Sequence, residues 1–99
     1  MIKSGGLPRM LFMVIERFKN HDAAAVYRRY RTRGRMMPEG LKYVDSWVEP
    51  NFDQCFQLME CDDWELLREW MANWKDLVDF TVVPVITSEE AAAAMSPRL

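Results

Sequence analysis

The chain has 99 residues, of which 49% are hydrophobic and 28% charged, with 13 Lys and Arg set against 15 Asp and Glu for a formal net charge of −2 at pH 7. That is the make-up of one soluble globular domain: no apolar run approaches the roughly 20 residues of a membrane span, and a slightly acidic balance gives no global attraction to nucleic acid. A domain of this size can build one core but cannot easily cover both faces of a sheet with its own helices.

Residues 1–9, with a Gly5-Gly6 pair and Pro8, show no periodicity and read as a flexible leader to a single domain over 10–99. Residues 10–16 are apolar on both faces until Glu16, as expected of a central strand covered on both sides. Asn20 or Asp22 caps a helix through about Arg33 that stops at Gly34. Ala23, Val26, Tyr27 and Tyr30 make its buried stripe, and Arg28, Arg29, Arg31, Arg33 and Arg35 lie outside it or just beyond its end, where cations suit the helix dipole.

Residues 41–61 alternate as a β-hairpin turning at Pro50, Asn51 and Asp53. Strict alternation places Tyr43, Asp45 and Trp47 on one face and Val44, Ser46 and Val48 on the other. In the second strand Phe56 and Leu58 oppose Gln57 and Met59. Asp62 and the following Asp63-Trp64-Glu65 form a capping signature for a second helix to about Trp74, with Leu66, Leu67, Trp70, Met71 and Trp74 as its apolar face. Residues 80–86 are rich in β-branched residues and form a last strand, which Pro84 makes either an edge strand or one with a bulge there. Thr87 and Glu90 open a short helix through Ala94 that ends near Pro97.

The order strand, helix, strand, strand, helix, strand predicts an α+β fold, the ferredoxin-like βαββαβ arrangement with a four-stranded antiparallel sheet and its first and third strands central. Two helices cover one face of that sheet. The other face also carries large apolar side chains, and leaving several hundred Å² of it in water forgoes on the order of 10 kcal/mol at about 25 cal/mol per Å². A second copy packed sheet to sheet about a twofold axis resolves this, so a homodimer is expected.

The segments MLFMVIERF (10–18), GRMMPEGLKYVDSWVE (34–49), CFQLMECDD (55–63) and VDFTVVPV (78–85) resemble an uncharacterised bacterial family known only as a domain of unknown function, over residues 10–86. That family is similar in layout to the dimeric α/β-barrel superfamily, which includes cofactor-independent monooxygenases, muconolactone isomerase-like enzymes, haem-degrading enzymes and purely regulatory ligand-binding domains. The resemblance implies a dimeric barrel with a pocket between sheet and helices in each subunit. It does not by itself choose a function.

The candidate ligand-binding residues are Glu16, Tyr43, Trp47, Gln57 and Met59, and the candidate catalytic residues are Asp45 and His21. Asp45, if desolvated between Tyr43 and Trp47, becomes a usable general acid or base; the plainer reading makes it a solvated or ion-paired residue near the sheet rim. His21, the only histidine, stands beside a helix start, a position that more often serves a surface or capping role. One histidine and two separated cysteines give no metal-ligand spacing, and residues 71–75 lack the histidine that the haem-degrading enzymes use, so neither metal nor cofactor is expected. Cys55 and Cys61 sit roughly 20 Å apart along one extended strand and cannot bridge within it. With no signal peptide in view they read as reduced thiols of a cytoplasmic protein.

The arginines between Arg28 and Arg35 lack interleaved base-stacking aromatics and read as a solvated face, so nucleic acid is not expected as a partner, nor is a membrane. Two functions stay open. One is a dimeric barrel protein binding a small, largely apolar or aromatic molecule; the other is a cofactor-independent monooxygenase- or isomerase-like enzyme with an acid–base residue in the sheet pocket.

Overall fold

In the computed structural model, which describes residues 9–99, strand β1 (Met10–Phe18) buries Phe12, Val14, Glu16 and Phe18 on one face. Residues 1–8 of the predicted leader lie outside the described residues. A 3-10 turn, Lys19–His21, leads to helix α1 (Ala23–Arg33). Of the two predicted caps Asp22 acts, its carboxylate accepting from the Ala25 amide, and Gly34 ends the helix at a φ of 68° that a residue with a Cβ adopts reluctantly.

The hairpin strands are β2 (Lys42–Val48) and β3 (Gln54–Cys61). Helix α2 (Trp64–Ala72) follows, capped by Asp63 rather than Asp62. Strand β4 (Val78–Val85) then leads to helix α3 (Ser88–Met95), which opens on the predicted Thr87–Glu90 capping box. The sheet order is β2-β3-β1-β4, with every neighbouring pair antiparallel. This is the ferredoxin-like α+β arrangement, with β1 and β3 central as expected. Pro84 falls in edge strand β4, where one side of the backbone needs no partner.

One register detail corrects the sequence reading. Tyr43 pairs with Met59 and Asp45 with Leu58, so Val44 is an extra residue in β2, a β-bulge. The extra residue reverses the alternation once. Tyr43 therefore joins Ser46 and Val48 on the helix face, while Asp45 and Trp47 turn to the opposite face with Leu58 and Phe56.

The core lies between the helix face and α2. Trp70, Met59, Leu67, Val14 and Val78 are its fully buried side chains. The connection between α1 and β2 is fastened to the end of α2. Both Trp70 and Trp74 donate their indole N–H to the Arg35 carbonyl at 2.9 Å, and the Asn73 amide donates to the Met36 carbonyl at 3.0 Å. Arg29 ties α1 to the same region through a two-pronged ion pair with Asp76, at 2.7 Å in both prongs.

The far face of the sheet carries Leu11, Met13, Ile15, Trp47, Phe56, Leu58, Val83 and Val85 in register across four strands. Trp47 is 52% exposed and Val83 40%.

Candidate functional site

A cavity of about 290 Å³ opens between the helix face of the sheet and α1, and Glu16 lies in its floor. Its origin is legible in the residues around it. Helix α1 buries only Val26, and its long Tyr27 and Tyr30 side chains form a wall of the cavity instead of a packed seam. Both were expected in a buried stripe, yet they are 41% and 44% exposed. Beneath them the strands present small or polar side chains, Ser46, Cys55 and Gln57, where bulky residues would close the gap. Phe18, Val48, Trp70 and Trp74 complete the apolar lining.

Three polar side chains from three parts of the chain are linked here. The Gln57 side-chain N–H donates to the Glu16 carboxyl, and the Gln57 carbonyl accepts from Arg35 Nε at 3.2 Å. The Arg35 guanidinium lies 3.7 Å from the centre of the Tyr43 ring and 5.3 Å from that of Tyr30, so two aromatic faces hold it by cation–π attraction. Tyr43 in turn shares a 2.6 Å hydrogen bond with Ser46. The backbone of Arg35 is anchored by the two indoles already described, so the guanidinium starts from a fixed point.

The electrostatics follow from burial. Glu16 is only 6% exposed. Desolvation pushes its carboxyl from 4.5 up to about 7, with the Gln57 hydrogen bond and the Arg35 charge offsetting only part of that rise. It therefore exchanges its proton near neutral pH, which suits a general acid or base. Cys55, directly opposite Glu16 in the sheet, is pushed up to about 12 by burial and then by the Glu16 charge, so its thiol stays protonated and is a poor nucleophile. Burial also raises the Tyr27 phenol.

The expected site residues divide by location. Glu16 and Gln57 line the cavity together. Tyr43 stands just behind, under Arg35, and Met59 is fully buried in the core below. Asp45 and Trp47 are on the opposite face of the sheet, where the Asp45 carboxylate accepts from the Ser46 amide at 2.8 Å. They do not reach the cavity because the Val44 bulge turns them away from it. His21 is exposed at the end of the 3-10 turn, its Nδ1 3.3 Å from Asp53, in a polar hollow shared with Asn20 and Asn51.

Sequence reasoning missed Arg35, Tyr27 and Tyr30 as site residues. A signal was available: Glu16 and Gln57 are polar residues at inward positions of two adjoining strands, which calls for a further polar group between them and the helices. Among the described residues no group of three or more His, Cys, Asp or Glu side chains is placed to hold a metal ion, and Cys55 and Cys61 are both free and buried. No helix among them is long and apolar enough to cross a membrane.

No curated protein and no solved structure matches the chain. A family model does match, over residues 10–99. The chain that builds this cavity belongs to the family described as Domain of unknown function (DUF3303).

Proposed function

We propose that the protein binds a small, largely apolar or aromatic molecule in the cavity between α1 and the sheet. The observation that carries this reading is the linked set Glu16, Gln57 and Arg35 set into aromatic walls. A few convergent polar groups in an apolar hollow, one with a strongly displaced pKa, are what a small-molecule site requires. The second reading is a cofactor-independent enzyme of isomerase or monooxygenase type. It is favoured by the carboxyl of Glu16 titrating near 7, which equips that residue, rather than Asp45 or His21, to move a proton on an enolisable substrate.

We also propose that the working form is a homodimer joined through the open sheet face. Four strands of about eight residues make a plane of roughly 19 Å by 26 Å, or about 500 Å² on each partner. Paired about a twofold axis, that gives about 1,000 Å², the lower bound for a specific interface. Such an axis would set its apolar centre, Met13, Ile15, Leu58 and Val83, against the same residues of a second copy. The cytoplasm is the compartment that keeps thiols such as Cys55 and Cys61 reduced, and we place the protein there.

Native mass spectrometry of freshly purified protein, with and without a panel of small aromatic acids, amides and alcohols, tests both proposals. A dimer that carries or takes up one small molecule per chain is the expected result. A monomer contradicts the interface, and a chain that takes up nothing from the panel contradicts the binding site.

A further inference from the structure

We infer that the cavity accepts a planar carboxylate, its anionic head on the terminal nitrogens of Arg35 and its ring among Tyr27, Tyr30 and Trp74; this deepens the reading of the cavity as a ligand site and rests on it. The first ground is the state of Arg35. Its Nε is engaged by Gln57 and its plane is held against Tyr43, but among the described residues its two terminal nitrogens have neither a hydrogen-bond nor an ion-pair partner. Among the same residues Arg28, Arg31 and Arg33 also lack an ion-pair partner, but they are exposed, whereas Arg35 is half-buried and held on two aromatic faces and by Gln57. A guanidinium that is fixed in place with its fork unused is complementary to a carboxylate, whose two oxygens match the fork.

The second ground is the charge of the cavity. Glu16 is the one carboxyl among its lining residues, and burial favours the neutral form of that group, so near neutral pH the lining carries a cation with no full counter-charge. Among the described residues, the titratable or charged groups facing Glu16 are Cys55 from β3, Tyr27 and Tyr30 from α1, and Arg35 from the connection that follows; α2, the turn after it and β4 present Trp70, Trp74 and Phe80. Protonated Glu16 can donate a hydrogen bond to an incoming carboxylate, whereas ionised Glu16 repels it.

The third ground is shape. The walls are aromatic rings, which favour a flat ligand. A cavity of about 150 Å³ accommodates benzene, so one of about 290 Å³ has room for a single substituted ring. Benzoate fits that space, and benzamide is its uncharged near-isostere.

Calorimetric titration of the full chain with benzoate and with benzamide tests the inference, alongside the Arg35→Met, Arg35→Lys and Glu16→Gln variants. The Arg35 variants keep the backbone carbonyl that receives both indoles, and benzamide binding reports that their cavity is intact. At pH 6, where that comparison is made, benzoate binds the unaltered protein at least about tenfold more tightly than benzamide, a preference that Arg35→Met abolishes and Arg35→Lys weakens. Between pH 6 and pH 8 the benzoate affinity falls about tenfold as the protonated fraction of Glu16 falls, and Glu16→Gln removes that dependence. Equal binding of benzoate and benzamide overturns the inference while leaving the cavity a ligand site. Undiminished benzoate preference in Arg35→Met also overturns it, and failure of both ligands to bind overturns the underlying reading as well.

Discussion

Replacing Glu16 by Gln isolates the energetic consequence of burying a carboxyl in the cavity floor. The group titrates at 4.5 in ordinary surroundings and at about 7 in the folded protein. The folded state therefore binds more protons than the unfolded state between those values, and stability must fall as pH rises through that window. Below about 4.5 the carboxyl is protonated in both states and costs nothing; above about 7 the full cost applies. At about 1.4 kcal/mol per pH unit the difference amounts to roughly 3 kcal/mol, with little solvent screening at 6% exposure. Gln at this position keeps a carbonyl to accept the Gln57 N–H and cannot ionise. Urea unfolding of both proteins at pH 5, 6, 7 and 8 is the assay. The variant should be more stable by just under about 1 kcal/mol at pH 5, and by roughly 3 kcal/mol at pH 8. Parallel pH profiles would mean that Glu16 is not desolvated, and would refute the electrostatic account of the site.

Three further outcomes are expected. Trp70→Ala should destabilise the fold by about 3–5 kcal/mol in chemical unfolding, since Trp70 is 1% exposed and also fastens the Arg35 carbonyl. Asp76→Asn should lower the thermal midpoint at pH 5 and by much less at pH 2. The hydrogen bonds from Arg29 depress the Asp76 carboxyl from 3.8 to about 2, so its contribution is present above 3.8 and is lost as pH falls through about 2. Trp47→Asp should convert a dimer into a monomer in sedimentation velocity without changing the α1–sheet cavity, because Trp47 lies on the opposite face; a variant that stays dimeric argues against that interface.

Local chemistry made most of the fold legible. Asp22 and Gly34 mark the ends of α1 because capping and positive φ are decided by a few residues, and the same is true of the Thr87–Glu90 box. Pro84 marked an edge strand for an equally local reason, its missing donor. The bulge at Val44 was not legible, since no glycine or proline announces it and it exists only in the pairing of β2 with β3. That single residue redistributes Tyr43, Asp45 and Trp47 between two faces. Arg35 was hidden for a related reason. In sequence it reads as one more cation at the end of α1, and only the return of Gln57 and the indoles of Trp70 and Trp74 shows where its side chain and carbonyl are held. Tyr27 and Tyr30 have the spacing of a buried stripe, and spacing does not tell a packed seam from a cavity wall.

The most direct test of the ligand site is the indole region of the proton–nitrogen NMR spectrum, recorded while benzoate and benzamide are titrated in turn. Trp70 and Trp74 line the cavity, whereas Trp47 is on the far face and Trp64 packs on Phe12, so the four N–H signals report location as well as binding. Saturable shifts of the Trp70 and Trp74 signals, with those of Trp47 and Trp64 unmoved, are the predicted result. Shifts confined to Trp47, or none that saturate, would contradict the assignment of the cavity as the binding site.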